Sequence, residues 1–142
     1  MNENIISKIR DFNRFYTNIT GLINNHILES DYSLTEVRIM FEIYYNPTIT
    51  ARKIMETIQV DEGYLSRLIS SLIKRKIVIR KKSKEDGRVY ALALSAKGEK
   101  IFLQLNQRSS DKVTETIAHL TKDQQKELIS LMERVKKLLI KN

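Results

Sequence analysis

The segment from Thr50 to Ser95 constrains this chain more than any other. A short helical pattern, a tight turn and a second helical run, DEGYLSRLISSLIKRK, lead straight into a basic hairpin, IVIRKKSKEDGRVYALALS. In the second run Leu65, Leu68, Ile69, Leu72 and Ile73 fall on one helical face. Glu62, Tyr64, Ser66, Arg67, Ser70, Ser71 and Lys74 fall on the other. An amphipathic helix with a polar stripe therefore sits beside a loop rich in Lys and Arg. Two such parts suit duplex DNA, the helix entering a major groove and the loop the adjacent minor groove.

The charge is placed to match. Of the net +8, residues 1–47 hold four basic and six acidic side chains, net −2. Residues 48–100 hold thirteen and six, net +7, and residues 101–142 hold eight and five, net +3. Concentrated positive charge points to a polyanion, because neutralising phosphates releases condensed counterions. The 142 residues, 42% hydrophobic, make one ordinary domain with a core. One Pro and four Gly leave few breakers, so helix should dominate. No apolar run approaches the roughly 20 residues of a membrane span. The N-terminus lacks a signal peptide's apolar centre, and the simplest placement is the cytoplasm. With no cysteine there is no disulfide, thiolate metal site or thiol switch.

Around the central segment the pattern is helical. A first helix is predicted over about Asn4 to Leu28, its stripe formed by Ile5, Ile9, Phe12, Tyr16, Ile19, Ile23 and Ile27, with Gly21 weakening but not breaking it. Ser33 and Glu36 form a capping box for a second helix, stapled by Tyr32 and Val37. Its inward face is read as Val37, Met40, Phe41 and Tyr44, and Pro47 ends it. Thr50 caps a third helix that turns Ala51, Ile54, Met55 and Ile58 inward, and Asp61 caps the fourth. Strands Ile77 to Lys82 and Arg88 to Ser95 follow, joined by a turn over residues 83–87. Ser95 caps a long fifth helix (about Ala96 to His119). Thr121 and Gln124 open a sixth (about Lys122 to Lys141). The fold is thus mainly α with a small β-hairpin wing. It reads as one domain over 1–142, with a winged helix-turn-helix lobe at 48–95 and long flanking helices at 1–30 and 96–142. Apolar stripes on the first and last helices exceed what so small a lobe can cover, so a two-fold dimer is expected.

The fourth helix is the reading element. Gly63, small within the first turn, lets the backbone approach a groove floor, and Tyr64 is placed to stack on a sugar or touch a thymine methyl. Arg67 can reach guanine bidentately, while Ser66 and Ser70 suit phosphate or base-edge hydrogen bonds. In the wing, Lys82, Lys84 and Arg88 supply charge, with Asp86 able to hold the Arg88 guanidinium across the turn. Lys74, Arg75 and Lys76 read as cations at a helix C-terminus first and phosphate contacts second.

From Ser33 to Phe102 the sequence resembles the MarR family of bacterial winged-helix regulators. The resemblance is carried by TARKIMETI, YLSRLISSLIKRKIV, the wing triplet at Asp86, Gly87 and Arg88, and the closing LSAKGEKIF. DEGYLSRL and DGR are particularly similar to the regulator half of proteins fused to an acetyltransferase, a domain not expected in this chain. The resemblance implies an obligate homodimer built from the first and last helices. It implies transcription regulation through a pseudo-palindromic operator in double-stranded DNA, usually as a repressor relieved by a small ligand. On matching positions it carries Ser66, Arg67 and Arg88 as DNA contacts and Asp86 as organiser of the wing. Many members sense phenolic compounds, and Phe15, Tyr16, Tyr32, Phe41, Tyr44 and Tyr45 are candidates to line such a pocket or to be plain core. The rival reading is a winged-helix module that binds protein or RNA, or an antirepressor.

Catalytic signatures are absent. The chain has no G-x-G-x-x-G, P-loop or G-x-S-x-G, so no enzyme and no cofactor are expected. His26 and His119 stand without ligand companions at helical spacing, so no metal site is expected.

Overall fold

The computed structural model describes residues 2–21, 30–83 and 87–141. Among these residues six helices and one hairpin follow in the order α1 (Glu3–Ile19), α2 (Leu34–Tyr45), α3 (Ala51–Thr57), α4 (Glu62–Lys74), β1 (Val78–Lys82), β2 (Tyr90–Leu94), α5 (Ala96–Ile117) and α6 (Lys122–Leu139). Each cap read from the sequence is formed. Ser33 Oγ accepts from the Glu36 amide while Glu36 Oε1 accepts from the Ser33 amide, closing the box at α2. Thr50, Asp61, Ser95 and Thr121 cap the next four helices, and Gln124 returns the bond to Thr121.

The core lies between α2, α3, α4, the hairpin base and the first half of α5. Ile39, Met40, Ile54, Leu65, Leu72, Ile77, Val78 and Phe102 are its fully buried members. Each such aliphatic side chain contributes about 1.5–3 kcal/mol by leaving water. Two expectations are corrected here. The inward face of α2 is Ile39, Met40 and Ile43, leaving Phe41 exposed and Val37 and Tyr44 half-buried. Apolar residues cover well over half the circumference of α2, with Thr35, Arg38 and Glu42 on the remaining arc, so spacing admits more than one inward face and packing decides. The first helix, expected over about Asn4 to Leu28, ends at Ile19 before Gly21. Gly21 takes φ +75° and its amide bonds back to Asn18 O, the left-handed exit that glycine favours. Ile23, His26, Ile27 and Leu28 lie outside the described residues.

A second left-handed residue ends α4. Lys76 has φ +61°, with its amide bonded to Ile73 O and the next amide, Ile77 N, to Leu72 O at 3.0 Å. Those paired bonds form a Schellman motif, here with lysine where glycine is usual. The chain then enters β1, whose register with β2 runs from Val78 opposite Leu94 to Lys82 opposite Tyr90. The strands are shorter than expected, since Ile77, Arg88, Val89 and Ser95 lie outside the regular ladder. The hairpin is not isolated: Leu92 N donates to Ile49 O at 2.8 Å, and Thr50 bridges Ala91. Residues 49–50 thus act as a short third strand that ties the wing to the start of α3.

Helix α5 docks by its first turn. Ile77 O accepts from Ser95 N at 2.9 Å, and Ser95 Oγ donates to Lys76 O at 2.6 Å. Gly98 lies so close that a side-chain carbon there would fall 2.1 Å from the Ile77 carbonyl oxygen. Gly98→Ala should therefore cost more than about 2 kcal/mol despite its better helix propensity, because backbone must move and no flexible side chain can yield. Urea unfolding followed by circular dichroism checks this, and an unchanged midpoint would contradict the close approach.

Candidate nucleic-acid interface

The polar stripe of α4 is open. Leu65, Ile69 and Leu72 hold the helix to the core, and this leaves Glu62, Gly63, Tyr64, Ser66, Arg67, Ser70, Ser71 and Lys74 exposed. Asp61 Oδ2 accepts from Tyr64 N at 2.8 Å and fixes the first turn. Tyr64 is 40% exposed, at the rim of this face. A carbon added at Gly63 would lie 3.3 Å from Asp61 Oδ2 and 3.5 Å from Arg67 Nη1. The Arg67 guanidinium thus leans back toward the helix start over the notch that glycine leaves, as helical side chains do. Among the described residues it makes no ion pair.

The wing places its cations along one strand and one turn. Arg80, Lys81 and Lys82 are exposed on β1, Arg80 and Lys82 sharing a face and Lys81 the other. Ser83 N bonds to Val89 O at 2.9 Å, carrying the pairing beyond the ladder, and Arg88 is exposed in the turn before β2. Lys84 and Asp86, with Glu85, lie outside the described residues. Because Ile49 and Thr50 pair with β2 while Ile77 joins α4 to β1, the strand side of the hairpin and α4 share one framework.

Of the three cations that end α4, the structure separates one. Lys74 and Lys76 are exposed, whereas Arg75 Nη2 forms an ion pair with Glu36 Oε2 at the start of α2, and its guanidinium carbon lies 5.4 Å from the Tyr32 ring centroid. Burial would push the Glu36 carboxyl up. The Ser33 amide and the Arg75 guanidinium outweigh it, so its pKa falls below the ordinary value. The cluster K-R-K carries no periodic signal for which of its members turns inward. The pairing of Ile49–Thr50 with the wing was equally missed, although two β-branched residues before a helix are a mild strand signal.

The six aromatic candidates divide. Phe41, Tyr44 and Tyr45 meet around Phe102, with ring centroids 4.7–6.5 Å apart. Tyr32 lies under Arg75 instead, and Phe15 and Tyr16 stand exposed on α1 beside Phe12. Of the six, only Phe41 borders the hollow of about 230 Å³ between α2 and α5, where Leu34, Val37, Phe102 and Leu105 also lie. Neither α1 nor α6 buries any described residue; Phe12 is 53% and Leu138 70% exposed. Among the described residues no cluster of His, Asp or Glu could hold a metal ion, and no helix is long and apolar enough to cross a membrane. His119 is exposed just beyond α5.

Comparison with known proteins agrees with this architecture. The MarR family model matches residues 32–90. The transcriptional regulator BilQ of Clostridium symbiosum is 23% identical over 123 residues, which cover 87% of this chain and 85% of BilQ. A crystal structure of an E. coli MarR mutant complexed with operator DNA superposes with a TM-score of 0.76 at 25% identity, covering 96% of each chain. PcaV from Streptomyces coelicolor, in complex with its natural ligand, gives a TM-score of 0.66 at 18% identity, covering 91% of this chain and 89% of that one. The fold is that of the MarR winged-helix structures, mainly helical with one antiparallel hairpin.

Proposed function

We infer that this chain, which carries a MarR family domain and is a transcriptional regulator of that non-enzymatic, DNA-binding kind, works as a homodimer on a pseudo-palindromic operator. The observation that carries the reading is the exposed polar face of α4 set in the same framework as the cationic hairpin. In this proposal α4 enters a major groove with Gly63, Tyr64, Ser66, Arg67 and Ser70. The wing residues Lys82, Lys84 and Arg88 follow the adjacent phosphates and minor groove, with Asp86 organising Arg88. The E. coli MarR–operator complex supports the docking by its likeness. Half-sites would lie about one helical turn apart, roughly 34 Å.

A duplex selected by the protein from a randomised pool provides the test. If each subunit neutralises about four phosphates, log affinity should fall with log salt at a slope near −7 for the dimer. Arg88→Ala should weaken binding to selected and scrambled duplexes alike and flatten that slope. Arg67→Ala should erode discrimination by about 1–3 kcal/mol at one base pair. Equal competition by structured RNA, or no loss from either substitution, would count against this docking.

The same proposal makes α1 and the α5–α6 arm the dimerisation elements, on either side of a 48–95 lobe. Their support is the exposed stripe of Ile5, Ile9, Phe12, Val135, Leu138 and Leu139, which no described element of the chain covers. Apolar surface of this extent is driven from water at about 25 cal/mol per Å². Sedimentation of the wild type should give a dimer. Phe12→Asp combined with Leu138→Asp should give a monomer that no longer retains the selected duplex.

For control, we assign a small phenolic effector to the space between the Phe41, Tyr44 and Tyr45 cluster and a Phe15–Tyr16 edge brought up by dimer assembly, with Tyr32 at its margin. PcaV with its natural ligand supports effector binding on this fold. Salicylate titrated into the protein–duplex complex should release the DNA, and Phe41→Ala should blunt the release. Release that persists unchanged in that variant would place the effector elsewhere.

A further inference from the structure

We propose that Arg75 is a positioning residue and not a DNA contact: clamped between Glu36 and the Tyr32 ring, its guanidinium fixes the tilt of α4 against α2 and so the angle at which α4 meets a groove. The proposal rests on the DNA-binding reading above.

By position alone Arg75 belongs with Lys74 and Lys76, a run of cations at the end of a reading helix. Its surroundings say otherwise. Nη2 is bonded to Glu36 Oε2, the guanidinium carbon lies 5.4 Å from the Tyr32 ring centroid, and Nε is buried without a hydrogen-bond partner. Glu36 is itself buried, and its other oxygen is occupied by the Ser33 amide at 3.0 Å. One carboxylate therefore completes the cap of α2 and holds the far end of α4 at the same time. The Arg75 charge is neutralised within the protein and adds little to the field that phosphates meet. A lysine could supply the charge, but its ammonium is a single point that cannot meet the Glu36 carboxylate at Nη2 and set a delocalised cation beside the Tyr32 ring at once.

Leverage gives the clamp its consequence. Helix α4 has 13 residues, so its first turn lies roughly 18 Å from the clamp at 1.5 Å per residue. A tilt of about 5° at that end would move Gly63 and Tyr64 by roughly 1.5 Å, beyond what a bidentate hydrogen bond tolerates. Phosphate attraction is far less demanding of position. Loss of the clamp should thus erode sequence recognition and leave charge-driven binding in place.

Glu36→Gln gives a test in which the two accounts differ in sign. Removing a negative charge can only strengthen attraction to DNA, whereas losing the clamp weakens recognition. The probes are a duplex selected by the wild type from a randomised pool and a scrambled duplex of the same composition. Thermal unfolding by circular dichroism establishes that each variant is folded at the assay temperature. For Glu36→Gln and for Arg75→Gln we expect affinity for the selected duplex to fall about tenfold, with scrambled-duplex affinity held. The salt slope of Arg75→Gln should match the wild type, and the double variant should bind no worse than either single one. Arg75→Lys, the mildest change, should recover only part of the loss; it carries the test if Glu36→Gln does not fold. A slope flattened by about 0.9 per subunit in Arg75→Gln, with equal loss on both duplexes, would make Arg75 a phosphate contact and overturn the proposal. So would selected-duplex binding that is unchanged or tightened in Glu36→Gln. A wild type that selects no duplex would instead remove the DNA-binding reading, and the clamp with it.

Discussion

The peptide of Ile77 is the joint on which this architecture depends. Its amide closes the end of α4 on Leu72 O, and its carbonyl receives the Ser95 amide where the hairpin returns. The first turn of α5 rests on that same carbonyl through the space left at Gly98. Helix α4, the hairpin and the arm that leads to α6 therefore meet within one residue that is 1% exposed. Its bonds are ordinary in strength, each worth about 1 kcal/mol net. Their importance is geometric, because the directions of three elements are set together and none can be re-aimed without breaking a bond to another.

Much of this was legible in the residues. Five of the caps are short local codes in which a side chain meets an orphan amide two or three positions on, and neighbours in sequence suffice to read them. The two faces of α4 were equally plain, since its polar and apolar positions separate cleanly. The inward face of α2 was not. Met40 was read as inward and is, but Ile39 and Ile43 compete with Val37, Phe41 and Tyr44 for the rest of that face, and only the placement of α5 and β2 decides between them. Gly21 was seen as a weak point, but the exit that it makes at φ +75° is a choice of dihedral that spacing does not register.

The candidate site divides in the same way. Exposure of Gly63, Tyr64, Ser66, Arg67 and Ser70 follows from periodicity, which is a local property. The fate of Arg75 depends on Glu36, 39 positions earlier, and on Tyr32, so no local pattern holds it. Aromatic residues mislead for a related reason: Tyr44 and Tyr45 find Phe102 across the fold, while Phe15 and Tyr16 remain on a helix that buries nothing within its own chain. Composition suggests that rings will gather, but only topology says which ones can.

The connection from α4 to β1 passes through Arg75, Lys76 and Ile77, and it contains no glycine to serve as a pivot. Lys76 is instead held in a conformation that costs an ordinary residue about 1 kcal/mol or more, and two amide bonds pin it there. A connector of that kind transmits torque rather than absorbing it. The tilt of α4 and the tilt of the hairpin are therefore one variable, and the root of α5 shares it through the Ile77 carbonyl.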